Sequence, residues 1–146
     1  MSTSVPHAQL QLSKSGMVHN YKYFRSLLKE STKLMILVKA NSYGHGAIEF
    51  ARVMEEAGAD YFGVATPIEG MELKENGIKL PIIVLDSGLE SYGDIVEHDL
   101  EPSMPNLESF ILLRKVLREK GINRWPVHIK LDTGMHRLGF MEHEIP

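Results

Sequence analysis

The sequence predicts an α/β fold with a parallel sheet. Short, nearly continuous apolar runs recur along the chain, as in strands covered on both faces; half-exposed antiparallel strands would alternate apolar with polar residues. Segments with helical spacing separate these runs and are long enough for right-handed crossovers. Gly58, Gly77 and Gly121 each close a polar helical segment shortly before an apolar run, marking a helix stop and then a strand start.

In chain order, a helix is expected over about 16 to 29, followed by a strand at Leu34 to Val38. The next helix places Ala47, Ile48, Ala51, Met54 and Ala57 on one face, with Glu49, Arg52, Glu55 and Glu56 mostly opposite. Strands follow at Tyr61 to Ala65 and Ile82 to Leu85, with a weaker one near Glu101 to Met104. A helix from about Pro105 to Lys120 carries Leu107, Phe110, Ile111, Leu113, Val116 and Leu117 as an apolar stripe, Pro105 suiting its first turn. The last strand is Val127 to Leu131. Phe62, Phe110 and Trp125 read as core or core-edge residues. A doubly wound sheet and a (β/α)8 barrel both fit this rhythm. A complete barrel takes roughly 250 residues, so a barrel made from these 146 residues is an incomplete one, with open edges and an open inner face.

Composition narrows the function classes. The 43% hydrophobic and 24% charged residues suit a globular domain. Sixteen Lys and Arg against nineteen Asp and Glu, scattered without a basic block, give a net charge of −3 and argue against nucleic acid and anionic membranes as partners. With no Cys there is no disulfide framework or thiolate chemistry. The opening MSTSVPHAQLQLSKSG has no leader pattern and no run approaches a membrane span, so a cytoplasmic protein is expected. His7, His19, His98 and His143 have no second ligand at metal spacing, and no metal is assigned.

Two segments concentrate chemistry. Lys39 stands at the end of the strand LMILV, where parallel α/β folds keep their active sites, and is followed by the glycine-flanked Tyr43-Gly44-His45-Gly46. A buried ammonium tends to shed its proton, which frees the amine as nucleophile or base, whereas a solvent-facing Lys only snorkels. The loop offers backbone N–H groups and a phenol to an anion. The second segment is VHIKLDTGMHRLGF, Val127 to Phe140. Alternation turns His128, Lys130 and Asp132 to the face opposite Val127, Ile129 and Leu131, towards a barrel interior if there is one. A Lys there calls for a carboxylate partner or modification. Arg137 suits an anionic ligand atom equally with a surface pair to Asp132. His45 and His136 carry no assigned role.

LMILVKANSYGHG resembles the pyridoxal-phosphate lysine motif of the alanine racemase family, and VHIKLDTGMHRLGF resembles a later strand and loop of that family. YFGVATPIEGMELKENGIKLPIIVL is similar in order and spacing, and HNYKYFRSLL resembles the family's first helix. Before Gly16, QLQLSKSG stands where the family has an acidic strand. The resemblance implies a partial (β/α)8 barrel with about five parallel strands, residues 1–146 being the N-terminal portion of the barrel domain without a C-terminal β-domain. It implies pyridoxal 5'-phosphate as cofactor, attached to Lys39, which also acts as one catalytic base. Tyr43 would contact the cofactor phosphate, Arg137 its phenolic oxygen, and Lys130 would match a Lys often carbamylated. It further implies alanine as substrate, D-alanine supply for peptidoglycan, a homodimer in the full-length protein, and a second base, a Tyr of the partner's β-domain, outside these residues. A racemase for serine, lysine or other amino acids, or a non-catalytic cofactor-binding module, are the alternatives. The piece alone is expected to be inactive.

Overall fold

A computed structural model describes residues 10–144. Five parallel strands, β1 (Met35–Leu37), β2 (Tyr61–Val64), β3 (Ile82–Val84), β4 (Glu101–Met104) and β5 (His128–Ile129), are hydrogen-bonded in chain order. The connections are α2 (Lys39–Gly44) with α3 (Ala47–Ala57), then α4 (Pro67–Glu75), α5 (Tyr92–Glu97) and α6 (Leu107–Glu119), while α1 (Lys14–Ser26) precedes the sheet.

Register sorts every strand residue onto one of two faces. Ile36 pairs with Phe62, Phe62 with Ile82, Val64 with Val84, and Val84 with Pro102. This face is the core side, where Phe62, Val64, Ile82, Val84 and Met104 are buried with Ala51, Met54, Leu73, Ile95 and Leu113 from the helices. The other face carries Met35, Leu37, Tyr61, Gly63, Ile83, Glu101, Ser103 and His128. Met35 and Leu37 are each 38% exposed there. Unreversed strand order with the core on one face is the barrel sense of winding; a doubly wound sheet reverses order and buries both faces. The partial barrel is therefore the fold, and its inner face is open among the described residues.

Local chemistry sets the element ends. Ser13 caps α1 by accepting the Gly16 N–H at 3.1 Å. Gly58, at φ 97°, closes α3 in the left-handed conformation that a side chain disfavours. The Tyr21 hydroxyl then donates to the Gly58 carbonyl at 2.5 Å, tying α1 to the end of α3.

Several expectations shift. The α1 helix ends at Ser26, and β1 and β5 are shorter than their apolar runs. Asn106 caps α6 by accepting the Ser109 N–H at 2.9 Å, which leaves Pro105 outside the helix rather than in its first turn. The predicted α6 stripe is too broad. Leu113 is buried and Val116 and Leu117 pack against the core, but Leu107, Phe110 and Ile111 are exposed because they lie beyond the arc the sheet covers. Phe110 is thus not a core residue. Trp125 is core-edge as expected, its indole N–H donating to the Leu100 carbonyl at 3.0 Å. Residues 10–13 form no strand.

Candidate active site

The carboxyl ends of the strands meet around a cavity of about 190 Å³ lined by Lys39, Ala65, Leu85, Asp86, Lys130, Arg137 and Leu138. Lys39 directly follows Val38 at the end of β1; Lys130 follows β5 on the inner face, as the alternation predicted. No ion pair among the described residues involves Lys39, Lys130 or Arg137. Three cationic side chains with Asp86 as the one lining carboxylate repel one another and favour an anionic guest. Lys130 makes no ion pair with a carboxylate among the described residues, although Asp86 lines the same cavity, and Arg137 and Asp132 do not pair.

Between Lys39 and Gly44 the chain makes a left-handed turn. Ala40, Asn41, Ser42 and Tyr43 have φ of 49°, 52°, 52° and 56°, a conformation that costs side-chain-bearing residues roughly 1–2 kcal/mol each. Specific bonds offset that cost. Ser42 N–H donates to Val38 O at 2.9 Å, Gly46 N–H to Asn41 O at 3.1 Å, and Ala47 N–H to Asn41 Oδ1 at 2.7 Å. His45 Nδ1 lies 2.7 Å from Ser42 O, which gives this histidine its role as a staple of the turn. Ala40 N–H donates to Glu69 Oε1, also at 2.7 Å. The turn carries Tyr43 away from Lys39. Tyr43 is 60% exposed and lines a separate cavity of about 540 Å³ with Met17, Tyr21, Ile36, Phe50 and Met54. The structure thus brings Lys39, Lys130 and Arg137 together and sets Tyr43 apart.

Arg137 stands on a loop held by its own chain. Asp132 Oδ1 accepts the N–H groups of Gly134 at 2.9 Å and His136 at 3.0 Å, and Oδ2 lies 3.3 Å from His136 Nδ1. These bonds, first the one from Gly134 and next that from His136, hold the Asp132 carboxyl below its ordinary range. The loop is closed where Phe140 N–H donates to Lys130 O at 2.8 Å and Asp132 N–H to Phe140 O at 2.9 Å. Deeper on the inner face His128 and Glu101 pair at 2.7 Å, with the Tyr61 ring edge-on to His128.

Glu69 is the residue that the sequence reading passed over. Thr66-Pro67-Ile68-Glu69 has the spacing of a helix capping box, and Glu69 Oε2 accepts the N–H of Ala65 at 2.7 Å and of Thr66 at 3.2 Å. That half was legible; the contact to Ala40 was not.

Among the described residues no cluster of three or more His, Cys, Asp or Glu is placed to hold a metal, and no helix is long and apolar enough to cross a membrane.

Parallel strands in chain order, helices on one face and a polar cavity at the carboxyl ends define a segment of an α/β-barrel domain. The chain belongs to the family described as "Alanine racemase, N-terminal domain", which it matches over residues 12–146. It is 42% identical over 135 residues to an alanine racemase of Synechocystis sp., with 90% of this chain and 36% of the relative covered. Identity to the alanine racemase of Thermodesulfovibrio yellowstonii is 39% over 138 residues, covering 92% of this chain and 37% of the relative. The solved alanine racemase of Clostridium difficile 630 superposes with a TM-score of 0.82 at 35% identity, over 86% of this chain and 33% of that one. The chain thus spans little more than a third of the length of the curated relatives it matches.

Proposed function

We propose that this chain is the lysine-bearing N-terminal portion of the barrel domain of a pyridoxal 5'-phosphate-dependent alanine racemase, an isomerase of the cytoplasm that works as a homodimer and supplies D-alanine for the cell wall. The observation that carries the reading is the convergence of Lys39, Lys130 and Arg137, none in an ion pair among the described residues, on one cavity at the carboxyl ends of the strands. Kinship with the alanine racemases supports it.

The donor set fits the cofactor, since an aldehyde needs a primary amine and a phenolate needs a cation. When bound, pyridoxal phosphate supplies an electron sink for the pair left behind as an α-proton departs. Lys39 Nζ would be the attachment point and the base for the α-proton on one face. Arg137 would donate to the phenolic oxygen of the bound cofactor. Lys130, if carbamylated, would orient Arg137. Tyr43 would contact the cofactor phosphate by the resemblance, although it lines a cavity separate from that of Lys39. The second base, a Tyr of the partner's C-terminal β-domain, lies outside these residues.

The test is α-proton exchange of L- and D-alanine in deuterated water by the full protein encoded by the gene. Exchange with inversion, abolished in Lys39→Ala, is the expected result. Exchange of serine or lysine but not alanine would change the substrate, and no exchange with any amino acid would sink the reading.

A further inference from the structure

Glu69 spends its two carboxylate oxygens on two different strand ends. Oε2 does the ordinary work of a capping box, accepting the N–H groups of Ala65 and Thr66 at the start of α4. Oε1 is not needed for that. It accepts the N–H of Ala40 at 2.7 Å, from a residue 29 positions earlier and directly after Lys39.

The Ala40 amide lies at a gap in the backbone pattern. The β1 ladder ends with Val38 N–H donating to Gly63 O at 2.9 Å, and the bonds within the left-handed turn begin with Ser42 N–H donating to Val38 O. Among the described residues, no backbone carbonyl outside α2 takes the Ala40 N–H. Without Glu69 that donor loses its partner, and the strained turn loses its first anchor beside Lys39. The same carboxylate fixes the distance between Ala40 and Ala65. Lys39 and Ala65 both line the cationic cavity.

From this juxtaposition we infer that Glu69 is a positioning residue for the reactive lysine: its carboxylate clamps the ends of β1 and β2 together and holds Lys39 Nζ at the geometry of attachment. The inference rests on the reading of Lys39 as the attachment point. Its signature is a separation of two quantities. The cations that attract the cofactor remain when Glu69 is altered, so non-covalent affinity is kept while the rate of attachment at Lys39 falls.

The experiment uses the full protein freed of cofactor. Pyridoxine 5'-phosphate, which lacks the aldehyde, reports non-covalent affinity; borohydride trapping with pyridoxal 5'-phosphate and peptide mapping report the rate at Lys39. Glu69→Ala should slow trapping by about tenfold or more while pyridoxine 5'-phosphate affinity stays within about twofold. Amide exchange should show lost protection at Ala40. Glu69→Gln, which keeps one acceptor oxygen, should fall between, and it carries the test if the alanine variant does not fold. Thr66→Ala weakens the same helix cap without touching Ala40 and should trap at the wild-type rate.

Wild-type trapping in both Glu69 variants would overturn the clamp. A parallel loss of affinity and trapping, or an equal slowing in Thr66→Ala, would reduce Glu69 to a structural cap and overturn it as well. The wild-type control is read first: trapping on another lysine there overturns the functional reading itself, and the clamp with it.

Discussion

Gly139 packs directly against the backbone of Asp132: a Cβ built on Gly139 would lie 2.6 Å from Asp132 N and 2.7 Å from the carbonyl carbon of Leu131. Its φ of 132° is also one that side chains avoid. The contact closes the loop that carries Arg137, and the atoms it meets belong to backbone, which cannot swing aside. Gly139→Ala should therefore cost about 1–3 kcal/mol in local strain. The loss is expected as reduced amide protection at Asp132 and Phe140, whose N–H groups close the loop. Wild-type protection in this variant would show that the loop is not held by the contact.

The loop should also open in acid. Asp132 is favoured in its ionised form by the N–H groups of Gly134 and His136, so its folded pKa lies below the ordinary 3.8. A depressed carboxyl contributes order that is complete above the unfolded value and disappears as pH falls through the folded one. Titration followed by NMR should place the Asp132 midpoint below 3.8, with the Gly134 and His136 amides losing protection over the same window. A midpoint at or above the ordinary value would contradict the bonding described.

Arg137 is placed to meet an anion without an internal carboxylate to release first. Arg137→Ala should weaken pyridoxine 5'-phosphate binding by about 10- to 100-fold, the range of one charge-assisted hydrogen bond. Binding by the wild type should fall as salt rises. Calorimetry on the full protein measures both. An unchanged affinity would remove Arg137 from the site.

Lys130 faces the inner side of the barrel and makes no ion pair among the described residues. Modification to a carbamate would supply the negative charge its neighbour Arg137 lacks. NMR of the full protein in isotopically labelled bicarbonate should show a carbamate carbon assigned to Lys130, and its absence in Lys130→Arg completes the assignment. A free amine at Lys130 in the presence of bicarbonate would contradict the prediction.

Much of this architecture was legible in the residues. Strands such as YFGVA and IIVL read as continuous apolar runs because their outer face is covered by helices and their inner face is apolar as well. Lys39 stood out because it ends such a run. Alternation alone placed His128 and Lys130 on one face, and the pairing of Ser103 with His128 agrees. The separation of Tyr43 from Lys39 was not legible, since nothing in Ala40-Asn41-Ser42-Tyr43 signals four successive left-handed residues. That conformation depends on Glu69, Asn41 and His45, and two of these act across gaps in sequence. The α6 stripe misled for another reason: helical spacing marks apolar residues but not how wide an arc the sheet can cover. Spacing leaves a pair with Asp132 and an anionic ligand equally open to Arg137; two nearby backbone N–H groups and the His136 ring claim the Asp132 carboxylate.

The lysine at the end of β1 is proposed as the attachment point of the cofactor. Borohydride reduction of the full protein with bound pyridoxal 5'-phosphate, followed by peptide mapping, tests it most directly. The pyridoxyl label is predicted on Lys39, within the peptide that contains VKANSYGHG. A label on Lys33 or Lys130 with Lys39 unmodified would rule Lys39 out as the attachment point.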